Sequence, residues 1–264
     1  MSIFDKFRLD GRVAVVTGAG KGIGAAIAST FAEAGADLVL GARTESDLLA
    51  VASVVEDFGQ RALVVPTDVT EPEQIKRLYE TALAEMGRID ILVNNAGGFP
   101  PKPALDTSTE QFEAAFKFNV SSAYRLSTLC APELAQHNGC IINISSIAGQ
   151  KPTPCFAAYG TAKGALSLLT QELAQEFAPK IRVNAIAVGS TRTDALNTVL
   201  TEEIEQTMVD LTPMARLGEV EDIALGALYL ASPAGSYMTG EILGIHGGLQ
   251  RLNMQMPRAF GGMG

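Results

Sequence analysis

Three observations predict an α/β protein with a doubly wound parallel sheet of about seven strands and helices on both faces. Short apolar runs alternate with helix-like segments almost from end to end, a glycine-rich turn follows the first run, and the runs are apolar on both faces. The chain has 264 residues, 47% hydrophobic and 19% charged, which suits one domain over residues 1–264 with a sizeable core. The formal net charge of −9 argues against nucleic-acid or anionic-membrane partners, because phosphates would be repelled. Cys130, Cys140 and Cys155 show no CxxC spacing and read as reduced thiols, as expected of a cytoplasmic protein. The opening MSIFDKFRLDGR lacks a long apolar segment, and no stretch approaches the ~18 apolar residues of a membrane span. His137 and His246 are the only histidines and lack ligand-like neighbours, so neither a metal site nor a histidine-based triad is expected.

The strand-like runs are RVAVVTG (12–18), DLVLGA (37–42), ALVVPT (62–67) and IDILVNN (89–95), then CIINIS (140–145), IRVNAIAV (181–188) and EILGI (241–245). All are rich in Val, Ile and Leu, as strands covered on both sides must be. Between them, Ile23, Ile27, Phe31 and Ala34 form one helical face, and Ile75, Leu78, Tyr79, Ala82 and Met86 another. Such alternation implies right-handed crossovers.

VVTGAGKGIGAAIASTFAEAGA joins the first strand to the first helix. It does not satisfy GxGxxG, because Ile23 stands where that pattern wants its last glycine; Gly18, Gly22 and Gly24 satisfy GxxxGxG. The physical need is the same: no Cβ where backbone meets a pyrophosphate, and a helix N-terminus aimed at the anion. A ligand-free glycine turn is the bland alternative, but a strand before and an amphipathic helix after point to a Rossmann-type dinucleotide site. An NAD site wants a carboxylate at the end of the second strand to hold the ribose 2′-hydroxyl. Here LVLGARTESD places Ala42 and Arg43 at that turn, and Lys21 rises from the glycine loop. Two cations and no carboxylate suit a 2′-phosphate, so NADP(H) is expected over NAD(H). A solvated loop lysine and an exposed turn arginine would look the same. Asp68, after the third strand, is placed to accept from the adenine amine, to cap a helix, or both.

AAYGTAKGALSLL (157–169) sets Tyr159 and Lys163 four positions apart, on one face of a helix. Alone, the pair would read as packing plus a solvated charge.

TGAGKGIG, NNAG (94–97), INISS (142–146) and YGTAK in this order resemble the classical short-chain dehydrogenase/reductase family over nearly the whole chain. Within it, ILVNNAGGFPPKP and the stretch 193–224 are similar to bacterial 7α-hydroxysteroid dehydrogenases. The resemblance implies an NAD(P)-dependent oxidoreductase interconverting a secondary alcohol and a ketone by hydride transfer, with hydroxysteroids as candidate substrates. It makes Tyr159 the acid/base, Lys163 its partner, Ser146 (rather than Ser145) the substrate-orienting serine, and Asn119 the end of a proton relay. Asn119 would equally serve as a helix-kink residue. Asn95 and Gly97 match the segment lining the adenosine ribose and supporting the sheet, and Thr193 the contact to the nicotinamide carboxamide. Val69, Gly189 and Thr191 complete the expected cofactor contacts. Two departures stand out: Val188-Gly189 replaces the usual Pro-Gly, which predicts a less rigid start to the lid, and Ala42 replaces the Asp of the hydroxysteroid enzymes.

A free phenol titrates near ~10 and is a poor base at neutral pH. One ammonium at ~4–5 Å contributes roughly the 3–4 kcal/mol needed to lower it by two to three units. Lys163 is therefore expected to depress the Tyr159 pKa. The alternatives are a 3-oxoacyl-carrier-protein reductase and, in another class, a catalytically silent dinucleotide-binding regulator. Residues 189–217 form the expected lid, with Leu196, Val199, Leu200, Met208 and Met214 closing over an apolar substrate or forming an amphipathic surface helix. Apolar helices around 111–136 and 156–178 predict a homotetramer, and the tail NMQMPRAFGGMG is either loose or docked on a neighbouring subunit.

Overall fold

The computed structural model describes residues 2–193, 196, 200–254 and 256–262. Seven strands form one all-parallel sheet: β1 (Val13–Thr17), β2 (Asp37–Ala42), β3 (Ala62–Pro66), β4 (Ile91–Asn94), β5 (Cys140–Ser146), β6 (Arg182–Val188) and β7 (Ile242–Ile245). Their order is β3-β2-β1-β4-β5-β6-β7. The sheet grows outward in both directions from the β1–β4 pair, which makes the carboxyl ends of those strands the topological switch point. β1, β4 and β5 are buried along their whole length, as their unbroken apolar runs require.

The helices are α1 (Gly22–Glu33), α2 (Glu45–Asp57), α3 (Pro72–Met86), α4 (Thr109–Phe116), α5 (Ser122–Gln136), α6 (Ala157–Phe177), α7 (Glu202–Asp210) and α8 (Val220–Ala231). One core layer packs Ile27, Phe31, Leu48 and Leu230 of α1, α2 and α8 on one face of the sheet. The other packs Ile75, Leu78, Leu126, Leu134 and Leu173 of α3, α5 and α6 on the opposite face. Of the two helical faces read from the sequence, Ile27, Phe31, Ala34, Ile75, Leu78 and Ala82 are buried.

The expected helix near 111–136 is interrupted. Residues Lys117–Ser121 form a π-helical turn between α4 and α5, centred on Asn119. The Asn119 amide donates to the Ala115 carbonyl (2.8 Å), which offers the helix a side-chain partner at the break. Beneath it a buried polar ladder ties helices to strands: Asn94 Nδ2 donates to Asn143 Oδ1 (2.9 Å) and Ser127 Oγ (3.0 Å), and Asn143 donates to Thr170 Oγ1 (2.9 Å). At the other end of the sheet Asp90, 1% exposed, accepts from Arg12, Arg88 and the Val13 amide.

Two features bear on the expected lid. Val188 is the last residue of β6, in register with Ser146 and Ile245, so the sheet itself holds the position where the family has proline. Met208 on α7 is buried, 1% exposed, while Met214 is 64% exposed; neither lines the cleft described below. Leu196 and Leu200 are half-buried, and Val199 lies outside the described residues. The tail docks on its own chain: buried Asn253 donates to the Met208 carbonyl (2.9 Å) and Thr212 Oγ1 (2.8 Å) and accepts from Ser190 Oγ (2.5 Å).

Candidate active site

A cleft of about 630 Å³ opens at the switch point, over the carboxyl ends of the strands. Gly18, Lys21, Gly22, Ile23, Arg43, Asp68, Val69, Asn95 and Gly97 line one stretch of it, and Ser146, Tyr159, Lys163, Gly189, Thr191 and Thr193 the rest. Of the residues expected from the sequence, only Gly24 and Asn119 stand behind its wall.

The glycine loop fits a pyrophosphate. Gly18 and Gly22 have φ of +63° and +54°, conformations that side chains disfavour. A Cβ on Gly24 would lie 2.2 Å from the Gly18 carbonyl oxygen, so this glycine lets α1 pack against its own loop. Lys21 caps α1 with backbone only, and no side chain caps the amides of the first turn. Asn95 staples the loop to β4, its Nδ2 donating to the carbonyls of Thr17 (2.9 Å) and Gly18 (3.1 Å). Thr193 faces the loop from across the cleft, its Cγ2 3.5 Å from where a Cβ on Gly22 would stand.

At the β2 end Arg43 is exposed, and Lys21 Nζ lies 3.2 Å from Asp47 Oδ2 of α2. The sequence points to two cations there, and the structure adds this acid beside them. Asp68 accepts from the Thr70 amide and hydroxyl (both 2.8 Å). The Thr70 amide leads in holding its carboxyl below the usual range, with Arg43 and Lys117 adding to it. The N-cap of α3 is Glu71, so Asp68 forms a local Asx turn rather than capping the helix.

The other end gathers Ser146, Tyr159 and Lys163. Ser146 ends β5 and its Oγ accepts from the Ala148 amide (3.1 Å). Ser145 is committed elsewhere, donating to the Lys163 carbonyl (3.0 Å) and paired with Ser167. Lys163 is 3% exposed, donates from Nζ to the Ile144 carbonyl (2.7 Å), and is driven down to about 8 by burial. Its Nζ lies 5.7 Å from the centre of the Tyr159 ring. Burial pushes the Tyr159 phenol up, with a hydrogen bond to Ser146 opposing it. That reverses the expected depression by Lys163. The ammonium addresses a backbone carbonyl and the ring face, and is itself destabilised by burial.

Asn119 lies behind Gly97. Its Oδ1 accepts from the Gly98 amide (2.8 Å) and its Nδ2 donates to the Gly98 carbonyl (3.1 Å). A Cβ on Gly97 would sit 2.6 Å from Asn119 Oδ1 and 3.0 Å from Lys163 Nζ. Gly97 is thus the spacer that leaves room for both side chains.

A parallel doubly wound sheet with a glycine-lined anion cradle and a Tyr–Lys–Ser cluster at its switch point defines a nucleotide-dependent oxidoreductase of the short-chain type. The chain belongs to the short-chain dehydrogenase/reductase family. A family model described as enoyl-(acyl carrier protein) reductase matches residues 18–250. An oxidoreductase of Mycobacterium tuberculosis is 47% identical over 97% of this chain and 98% of its own length. The 7α-hydroxysteroid dehydrogenase of Escherichia coli K12 is 42% identical over 94% and 98%, respectively. A solved 7α-hydroxysteroid dehydrogenase, complexed with NADH and 7-oxo glycochenodeoxycholic acid, superimposes with a TM-score of 0.91 at 42% identity, covering 96% of this chain and all of that one. The chain is an oxidoreductase enzyme of this family. Among the described residues no helix is long and apolar enough to cross a membrane, and no three His, Cys, Asp or Glu side chains cluster as metal ligands.

Proposed function

We propose that the protein is an NADP(H)-preferring dehydrogenase that interconverts a secondary alcohol and a ketone, with hydroxysteroids or similarly apolar molecules as substrates. One observation carries the reaction type: Ser146, Tyr159 and Lys163 share the wall of one cleft with the glycine loop. Gly18, Gly22, Thr191 and Thr193 would hold the dinucleotide, with Asp68 and Val69 at its adenine end, and it would supply or take up the hydride. The Tyr159 phenol moves the proton, to the carbonyl oxygen in reduction and from the hydroxyl in oxidation. Ser146 hydrogen-bonds the substrate oxygen. Lys163 holds a positive charge beside the ring and so favours the phenolate. Asn119 keeps Gly97 and Gly98 in place, so that Lys163 reaches the cleft.

Exposed Arg43 and the absence of an acid at Ala42 support the NADP(H) preference. The NADH in the solved relative is that protein's cofactor and stands against simple transfer. The substrate class rests on the 42% identity to the hydroxysteroid enzyme. A second reading, 3-oxoacyl-carrier-protein reductase, is favoured by a Thermotoga maritima relative of that name at 34% identity. Phe112, Phe116, Tyr124 and Leu168, exposed on α4, α5 and α6, support a homotetramer closed through these helices; a monomer in sedimentation at micromolar concentration would refute it.

The experiment is a turnover assay with NADP⁺ or NAD⁺ against hydroxysteroids and simple secondary alcohols, with Tyr159→Phe as control. Turnover on a steroid with NADP⁺, reduced by about 10²–10⁴-fold in the variant, is expected. Faster turnover with NAD⁺ defeats the cofactor preference. Turnover confined to 3-hydroxyacyl thioesters, added to the same panel, selects the second reading.

A further inference from the structure

The ribose end of the cleft carries an acid as well as two cations. Asp47 stands in the first turn of α2, and its Oδ2 lies 3.2 Å from Lys21 Nζ. The Lys21 side chain is 62% exposed and that of Asp47 25%, so the acid is the anchored partner and the lysine the one that can swing. A Cβ on Gly20 would lie 3.0 Å from the Asp47 Cβ, and Ala42 is the next nearest side chain. Asp47 therefore rests against the glycine loop beside the end of β2, and it lines the cleft together with Arg43. Arg43 makes no ion pair among the described residues.

We propose that Asp47 is a specificity-determining residue that restrains the preference for a 2′-phosphorylated dinucleotide by engaging Lys21 and placing negative charge beside the phosphate's seat. This rests on the reading that Lys21 and Arg43 face the adenosine ribose. A 2′-phosphate dianion must take Lys21 away from Asp47 and tolerate the carboxylate that remains. A ribose 2′-hydroxyl carries no charge and meets neither demand. An ion pair whose lysine is largely exposed is weak enough to be exchanged, so Asp47 moderates phosphate binding without abolishing it, and Arg43, in no ion pair among the described residues, is the second partner.

The test is calorimetric titration of the full-length protein with NADP⁺ and NAD⁺ separately, without substrate, for wild type, Asp47→Asn, Lys21→Met and the double variant. Thermal melting first confirms that each variant folds. Asp47→Asn is expected to tighten NADP⁺ about tenfold and NAD⁺ by less than about threefold, the effect of one charge at a few ångström under surface screening. In the Lys21→Met background the gain should fall to about threefold or less, since the freed lysine is its main source. Equal changes for both cofactors would overturn the proposal. So would weaker NAD⁺ binding with NADP⁺ unchanged, which would make Asp47 the acceptor for the ribose hydroxyl. Arg43→Ala separates the two levels: unchanged NADP⁺ binding there removes the underlying ribose assignment. A wild type that prefers NAD⁺ removes only the NADP(H) preference, and a shift toward NADP⁺ in Asp47→Asn would still support the role of Asp47.

Discussion

Lys163 points its ammonium at the carbonyl of Ile144, 2.7 Å away, while Nζ also stands over the ring of Tyr159, 5.7 Å from its centre. The lysine is thus a positive charge fixed by the backbone of β5 rather than a direct partner of the phenol oxygen. Burial acts on both groups, raising the phenol and lowering the ammonium to about 8. A buried amine beside a buried phenol is a costly arrangement in the folded chain, retained where chemistry needs it.

That cost has a pH signature. Between pH 8 and 10.5 the folded protein sheds the Lys163 proton while the unfolded chain keeps it, so stability rises with pH across that window. Below pH 8 the full penalty is present, on the order of 3 kcal/mol. Lys163→Met should be inactive, more stable than wild type at pH 7, and lacking this rise. Urea midpoints at pH 7 and pH 9.5 for both proteins decide it: an equal rise in both would mean other groups are responsible.

Gly97→Ala should separate catalysis from folding. Its Cβ would fall 2.6 Å from Asn119 Oδ1, which must shift, and 3.0 Å from Lys163 Nζ, which must give way slightly, so the lysine is displaced together with the asparagine that backs it. A misplacement of about 1 Å can cost about 10²-fold in rate, and a fall in kcat of that order is expected with cofactor Kd changed by only a few-fold. An unchanged kcat would show that the Lys163 position is not critical.

Asp90 offers the converse, a stability effect without a catalytic one. Burial pushes its carboxyl up, but Arg88, the Val13 amide and Arg12 outweigh it and hold it below the usual range. Asp90→Ala leaves those donors facing a buried gap and should cost about 3 kcal/mol at pH 7, less than a fully buried pair because both arginines are partly exposed. A depressed carboxylate stabilises the fold above its ordinary pKa and loses that contribution on acidification. The gap between wild type and variant should therefore narrow below pH 4 in urea titrations. A gap that stayed constant into acid would show the effect to be steric.

Asn253 ties three separate segments together through Ser190, Met208 and Thr212. Asn253→Ala should release the tail from α7 at a cost of about 1–3 kcal/mol, one buried hydrogen-bond network losing its centre. Limited proteolysis should then cut the chain after residue 210 faster than in wild type. Identical cleavage rates would mean that other contacts hold the tail.

The strand boundaries read from the sequence agree with the structure to within one or two residues at each end. β1, β4 and β5 are covered on both faces, so burial shows as an unbroken apolar run that needs no knowledge of neighbours. Gly18, Gly22, Tyr159 and Lys163 were legible for a similar reason: their spacing is local, and local geometry imposes it. Asp47 was not. Nothing in ESDLLAVASVVED marks Asp47 rather than Glu45, the other acid of the first turn, as lying against Gly20, because that contact exists only once β2 lies beside β1.

The sequence by itself determined the alternation of strands and helices, the anion cradle and the pairing of tyrosine with lysine, since each follows from periodicity or from residues a few positions apart. Only the tertiary structure decided that Asn119 holds Gly98 from its helix break, that Asn253 locks the tail onto its own chain, and that burial pushes the Tyr159 phenol up rather than down. These depend on burial and on contacts between segments far apart in the chain. Desolvation belongs to the assembled surroundings of a group, and no spacing of residues encodes it.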